Sequence, residues 1–254
     1  MTKSPVPRVA PPEVHDTAPA LAWYSDHLLF DVIWNRPNLS RRDRSIVTVS
    51  LLIACGHYAQ LQGHPRRALD HGLAAVEIVE VVTHLAFYGG WPSAVSALKV
   101  VRETFEQRGV DLATIGQSVS EAVDLEHARA SGLVAGEEPF RTNPYSACLL
   151  DCTQAVIEHD LWQRPDLALR DRSLATVAAL IGTANWEALI EHGRRSLEHG
   201  VTNAELCELV AHAAFYAGYP KARRAAEVLD PLGAMAGSGA AYEETPLSAG
   251  ANIL

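Results

Sequence analysis

Two stretches of this chain repeat each other. Residues 34–54 read WNRPNLSRRDRSIVTVSLLIA, and residues 162–182 read WQRPDLALRDRSLATVAALIG. The match continues with HPRRALDHGL at 64–73 against HGRRSLEHGV at 192–201, then HLAFYGGWP at 84–92 against HAAFYAGYP at 212–220. The offset is a constant 128 from Trp34/Trp162 to Val100/Val228, and about 31 of the 67 paired positions are identical. A period this long is a domain duplication rather than a solenoid unit. Whatever one half folds into, the other must fold into as well.

The repeat sets the boundaries. Residues 1–20 read as a loose N-terminal arm and 21–109 as the first domain. Residues 110–142 read as a linker, carrying Gly109 at its edge and Gly132 and Gly136 within. Residues 143–230 form the second domain, and 231–254, rich in Gly, Ala and Ser, a flexible tail.

Within each copy the spacing predicts helices. Leu21–Trp34 has apolar residues three and four apart, and Pro37 closes the segment. Ser40 is a good N-cap, with Asp43 in the capping-box place, for a helix from Arg41 that carries an apolar face. A continuous helix over Ala59–His71 stops at Gly72. Ala75–Phe87 follows, with Glu77 and Glu80 in its first turns, and ends near Gly89-Gly90 before Pro92 opens the next. The reading is about five helices per copy and no sheet: an all-α fold in two tandem copies.

Apolar residues make up 48% of 254, a globular composition able to bury a core in each half. The net charge of −9, with no basic stripe, argues against a nucleic-acid partner and fits a soluble cytoplasmic protein. The longest apolar run, Ile46–Cys55, is too short to span a bilayer, so no membrane partner is expected. Cys55, Cys148, Cys152 and Cys207 form no CxxC pair, though Cys148 and Cys152 share a helical face; they read as buried free thiols in a reducing compartment.

The motifs W-x-R-P-x-L-x-x-R-D-R-S, H-x-R-R-A-L-x-H-G-L and E-I-V-E-V-V-x-H-L-A-F-Y-G-G-W-P resemble the signature of the carboxymuconolactone decarboxylase family, over about 30–105 and again about 158–230. The resemblance implies an all-helical, alkylhydroperoxidase D-like fold. It also implies a homo-oligomer: single-copy members form rings of six, so two-copy chains would close a ring as a trimer. The peroxidase branch uses C-x-x-C-x-x-x-H, because a thiolate attacks peroxide and a second thiol resolves it. Here the family histidine falls on His64 and His192, while His57 and Gln60, or Asn185 and Ala188, stand at the cysteine places. The branch's glutamate falls near Ser45 and Ser173. Thiol peroxidase chemistry is therefore not expected, and the R-S pairs are more like the decarboxylase branch.

Decarboxylation of a lactone acid needs no metal and no organic cofactor when the substrate supplies its own electron sink. It needs a cation for the carboxylate, a donor for the enolate oxygen, and an acid that protonates carbon. His64 and His192 are the first candidates for acid/base work, against the plainer reading of helix histidines bonded to backbone. His57, seven residues before His64, shares its face if the helix is continuous, whereas Asn185 in the second copy makes the two sites unequal. Arg44 and Arg172 either clamp a substrate carboxylate or staple the fold through an acidic neighbour. His84 with Tyr88, and His212 with Tyr216, are i, i+4 pairs that line a pocket, the tyrosine donating to an oxyanion, or else form an aromatic seam between helices. His71 and His199 read as helix-end caps, and Glu77, Glu80, Glu205 and Glu208 as first-turn charges, one of which could orient a histidine. No H-E-x-x-H occurs, so no metal is expected. The leading expectation is a cofactor-independent lyase acting on a small cyclic or lactone carboxylic acid. The alternatives are isomerisation, dehydration or cyclisation in the same pocket, and a non-catalytic ligand-binding or assembly protein.

Overall fold

The computed structural model describes residues 6, 8–116, 149 and 156–235. Cys148, Cys152, most of the expected linker and the tail beyond Met235 lie outside the described residues. The arm carries a short helix, α1 (Pro12–Thr17). Then α2 (Pro19–Trp23) widens into a π-helical turn over Tyr24–Phe30, and a 3₁₀ turn covers Ile33–Asn35. The first domain continues with α3 (Arg41–Ala54), α4 (Tyr58–Leu61), α5 (His64–Asp70), α6 (Ala75–Tyr88) and α7 (Trp91–Gln107). In the second domain a π-helical turn at Ile157–Leu161 precedes α8 (Leu169–Thr183), α9 (Trp186–Glu198), α10 (Asn203–Ala213) and α11 (Tyr219–Met235). Among the described residues there is no strand, and no helix is long and apolar enough to cross a membrane.

The N-cap of α3 is as the sequence predicts: Ser40 Oγ accepts the Asp43 N–H at 3.0 Å. The helix it opens carries more than one apolar face, since every residue from Asp43 to Ile53 is buried. Its counterpart α8 is buried from Asp171 to Gly182. A helix buried on all sides belongs at a centre, and α3 and α8 are packed against each other there. Gly182 lets them approach, because a Cβ at this position would stand 3.2 Å from Cys55 Sγ. The other helices surround this pair and close one core over both halves.

The expected continuous helix at Ala59–His71 is broken. Pro65 has no N–H to donate and its ring would strike the carbonyl of residue 61. Gly63 takes φ +82° to turn the chain, and α5 starts afresh at His64. In the second copy Gly193 replaces Pro65, and α9 runs unbroken through the same stretch. At the other end, α11 passes through Pro231 to Met235, beyond where the sequence places the start of the tail. Cys207 is exposed and Cys55 half-buried, so neither is the fully buried thiol expected.

Charges tie the halves together in reciprocal pairs. Arg42 reaches Asp171 at 2.7 Å, and Arg170 reaches Asp43 at 3.0 Å. Arg36 and Arg44 of the first half both bind Glu208 of the second, at 2.6 and 3.0 Å. Arg164 and Arg172 of the second half bind Glu80 of the first, at 2.7 and 2.9 Å.

Candidate active site

These ion pairs correct two expectations. Glu80 and Glu208 are fully buried acids, not first-turn surface charges. Arg44 and Arg172, both 0% exposed, are committed to them and cannot clamp a substrate. The guanidinium of each also donates to the backbone carbonyl of the arginine eight residues earlier, Arg36 or Arg164. The motif leaves two readings open, and the geometry of both arginines is that of the staple.

Around Trp34 the structure gathers residues from both halves. The Trp34 indole donates to Tyr216 Oη at 3.0 Å, and its ring meets His212 edge-on at 5.1 Å between centroids. His64 lies over Trp34 at 6.4 Å and edge-on to Tyr216 at 5.9 Å, and His71 lies 5.6 Å from Trp34. Trp162 repeats the pattern with the halves exchanged: its indole donates to Tyr88 Oη at 2.8 Å, with His84, His192 and His199 around it. Each cluster therefore takes its tryptophan and two histidines from one copy and its histidine–tyrosine pair from the other. His84 and Tyr88 do pack as an i, i+4 pair, at 4.9 Å. They serve the centre built on His192, not the one built on His64.

His84 and His212 are completely buried. Thr176 Oγ1 donates to the Arg172 carbonyl, which leaves it to accept from His84 Nε2 at 2.7 Å. His212 Nε2 meets Thr48 Oγ1 at 2.8 Å, and its Nδ1 faces the Arg44 guanidinium at 3.5 Å. Burial, then the arginine beside each, drives both pKa values well down, so both rings are neutral and positioned rather than poised to titrate. Each is packed inside the protein against the tryptophan of its cluster.

His64 is pulled down to about 3, by burial and then by Arg67; His192 is pulled down to about 4, by burial and then by Arg195. Burial likewise raises Tyr216, and raises Tyr88 to about 12, against the opposing indole hydrogen bonds. At neutral pH each cluster thus offers a neutral imidazole and a protonated phenol. His57 does not join them: it is exposed at the start of α4, where the chain break separates it from His64.

A cavity of about 220 Å³ opens on the first cluster, lined by Phe30, Trp34, Arg41, Arg67 and His71 together with Asp26, Asp31 and Val9. His71, read from sequence as a cap, does sit at the end of α5, but it also forms part of this wall. Ser45 Oγ donates to the Arg41 carbonyl at 3.0 Å and lies 2.8 Å from His71 Nδ1. A hydroxyl has one proton, so Ser45 accepts from Nδ1–H and His71 keeps a lone pair on Nε2. The serine, flagged only because it stands where a peroxidase has glutamate, fixes the tautomer. Burial, then Arg41 and Arg67, lowers the His71 pKa.

Asp26 closes the cavity's outer edge. Its carboxylate accepts the N–H groups of Val9 and Ala10 at 2.7 and 2.8 Å and meets His15 at 3.3 Å. These bonds hold down a segment the sequence reads as loose. No sequence pattern points to a role for Trp34, Trp162, Arg67 or Thr48, although Trp34 and Trp162 open the longest repeated motif. Among the described residues no group of histidine, cysteine and carboxylate side chains is arranged to hold a metal.

Residues 19–103 and 149–231 each match the model of the carboxymuconolactone decarboxylase family. The 4-carboxymuconolactone decarboxylase of Acinetobacter baylyi is 33% identical over 78 residues, which are 31% of this chain and 58% of that protein. The nitrosuccinic acid decarboxylase npaB of Metarhizium robertsii is 39% identical over 72 residues, 28% of this chain and 50% of that protein. The chain thus spans about half the length of these curated relatives.

Proposed function

Because the chain belongs to the carboxymuconolactone decarboxylase family, we propose that it is a cofactor-independent carboxy-lyase acting on a small cyclic or lactone carboxylic acid. The observation that carries this reading is the cavity wall, where the guanidinium of Arg67 and the imidazole of His71 face the same space beside Trp34. The names of the two relatives, both decarboxylases of small carboxylic acids, support it.

In this reading Arg67 holds the substrate carboxylate against the apolar rings of Phe30 and Trp34, where water is scarce. The C–C bond to the carboxylate breaks, CO₂ leaves, and the electron pair passes into the conjugated carbonyl of the substrate. Tyr216, protonated and fixed by the Trp34 indole, is the donor for the enolate oxygen. An imidazole returns a proton to carbon. His71 does this from the wall, recharging at Nε2 from solvent, and His64, packed against Trp34 and Tyr216, is the second candidate. The test is to follow CO₂ from 4-carboxymuconolactone. His71→Gln and His64→Ala should each reduce turnover about 10²–10⁴-fold, and full activity in both variants would refute the assignment.

A second reading uses the same groups for isomerisation, dehydration or cyclisation. The lone pair that His71 keeps on Nε2 at the cavity wall, able to accept a proton from carbon, supports this. Consumption of substrate without CO₂ would decide for it, and saturable binding without any conversion would leave a ligand-binding protein. We also propose a homotrimer. Trp91, Val95 and Leu98 are exposed on one face of α7, and Tyr219 is exposed at the matching start of α11. Light scattering should give the mass of three chains. A cytoplasmic location fits the free thiols of Cys55 and Cys207.

A further inference from the structure

The two centres differ at several positions, Arg41 against Leu169 among them, and one of these differences bears directly on the binding of an acid. In the first, Phe30 lies under the Arg67 guanidinium, 4.6 Å from its Cζ, with Trp34 at 5.5 Å. Arg67 makes no hydrogen bond or ion pair with a carboxylate among the described residues. Asp70 beside it is taken by Arg108 at 2.8 Å, and Asp26 by the arm. In the second centre the residue 128 places after Phe30 is Glu158. The matching Arg195 stacks on Trp162 at 4.1 Å, as Arg67 does on Trp34, but both its terminal nitrogens donate to Glu158, at 3.2 and 3.0 Å. This is the two-pronged geometry in which an arginine holds a carboxylate.

We propose that Glu158 is a built-in carboxylate occupying the anion subsite of the second centre, so that each chain binds one acid substrate, at Arg67. An incoming carboxylate at Arg195 would have to displace a tethered one and then remain beside its negative charge. At Arg67 no carboxylate of the described residues is bonded to the guanidinium. The residue pair Phe30/Glu158 thus makes one centre a binding site and closes its twin. This deepens the carboxylic-acid reading and rests on it for the class of ligand.

The test uses a saturated γ-butyrolactone carboxylate, which lacks a conjugated double bond to receive electrons and so is not turned over. Calorimetric titration of the full chain should give one probe per chain. Arg67→Gln should weaken binding by roughly a hundredfold, and Phe30→Glu should do the same by copying the closed centre. Glu158→Phe should raise the stoichiometry to two, and adding Arg195→Gln to it should return the value to one. Circular dichroism verifies folding, and the loss and gain variants test the proposal independently. Two probes per chain in the wild type overturns it, as does none, or a single site that survives both Arg67→Gln and Phe30→Glu. A folded Glu158→Phe variant that still binds one also overturns it. CO₂ release from 4-carboxymuconolactone is measured separately on the same variants. One-per-chain binding without CO₂ sinks the lyase reading and leaves this proposal standing; CO₂ release undiminished in Arg67→Gln does the reverse.

Discussion

Arg44 has no access to water, and Glu208 is the carboxylate that its guanidinium binds. Removing the acid strands the cation, which costs far more than the pair's net contribution. Glu208→Ala should therefore destabilise the protein by about 3–5 kcal/mol in urea titration, and Glu80→Ala should match it through Arg172. Ser45→Ala belongs to the same scale but has a different effect. It removes the acceptor of His71 Nδ1–H while leaving the packing intact, so turnover should fall about 10–100-fold, as when an orienting partner of a working histidine is lost, with the melting temperature little changed. The sequence marks Arg44 as important without revealing its task, because its partner lies 164 positions away. The place of His71 in the cavity wall is missed for a related reason. A helix-end histidine is usually a cap, and only the fold brings Ser45 to its Nδ1.

The helices are legible wherever a local signal is strong: Ser40 caps α3, Thr202 and Glu205 form a capping box on α10, and Pro92 opens α7. The break between α4 and α5 is equally local, a matter of Pro65, yet the repeat hides it, because the second copy has Gly193 and no break. Gly193 has a use of its own. An added Cβ there would stand 2.5 Å from Leu229 Cδ2 and 2.9 Å from Leu232 Cδ1, so α9 and α11 are seated on a missing side chain. Gly193→Ala should cost about 1–3 kcal/mol by overpacking, seen as a lowered urea midpoint. Gly63→Ala meets no neighbour but forces a left-handed residue, at about 1–2 kcal/mol.

Across the whole molecule, four histidines are held neutral inside the fold, His64, His84, His192 and His212, each with its pKa driven below the ordinary 6.5. The unfolded chain binds protons at these rings below pH 6.5 while the native one does not. Stability is therefore fully present above 6.5 and falls as the pH drops toward the native values, about 3 for His64 and about 4 for His192. Each ring contributes a slope on the order of 1 kcal/mol per pH unit. Melting temperature should decline steeply between pH 6.5 and 4, and a flat profile would contradict the burial described. Two copies and their helices could be read from the sequence. The exchange of His84 and Tyr88 for His212 and Tyr216 could not, because a repeat tells which residues are equivalent but not whether each packs on its own copy or on the other.

That exchange governs what the gene can lose. A truncated chain keeping only one copy would retain a tryptophan with no phenol facing it, and a histidine–tyrosine pair with nothing to serve. Cutting away either half thus leaves neither centre complete within one chain, and a lesion at Tyr216 is felt at His64, in the copy that carries no mutation. A single copy must instead find its missing histidine–tyrosine pair in a second chain, even though Glu158 closes one of the two centres.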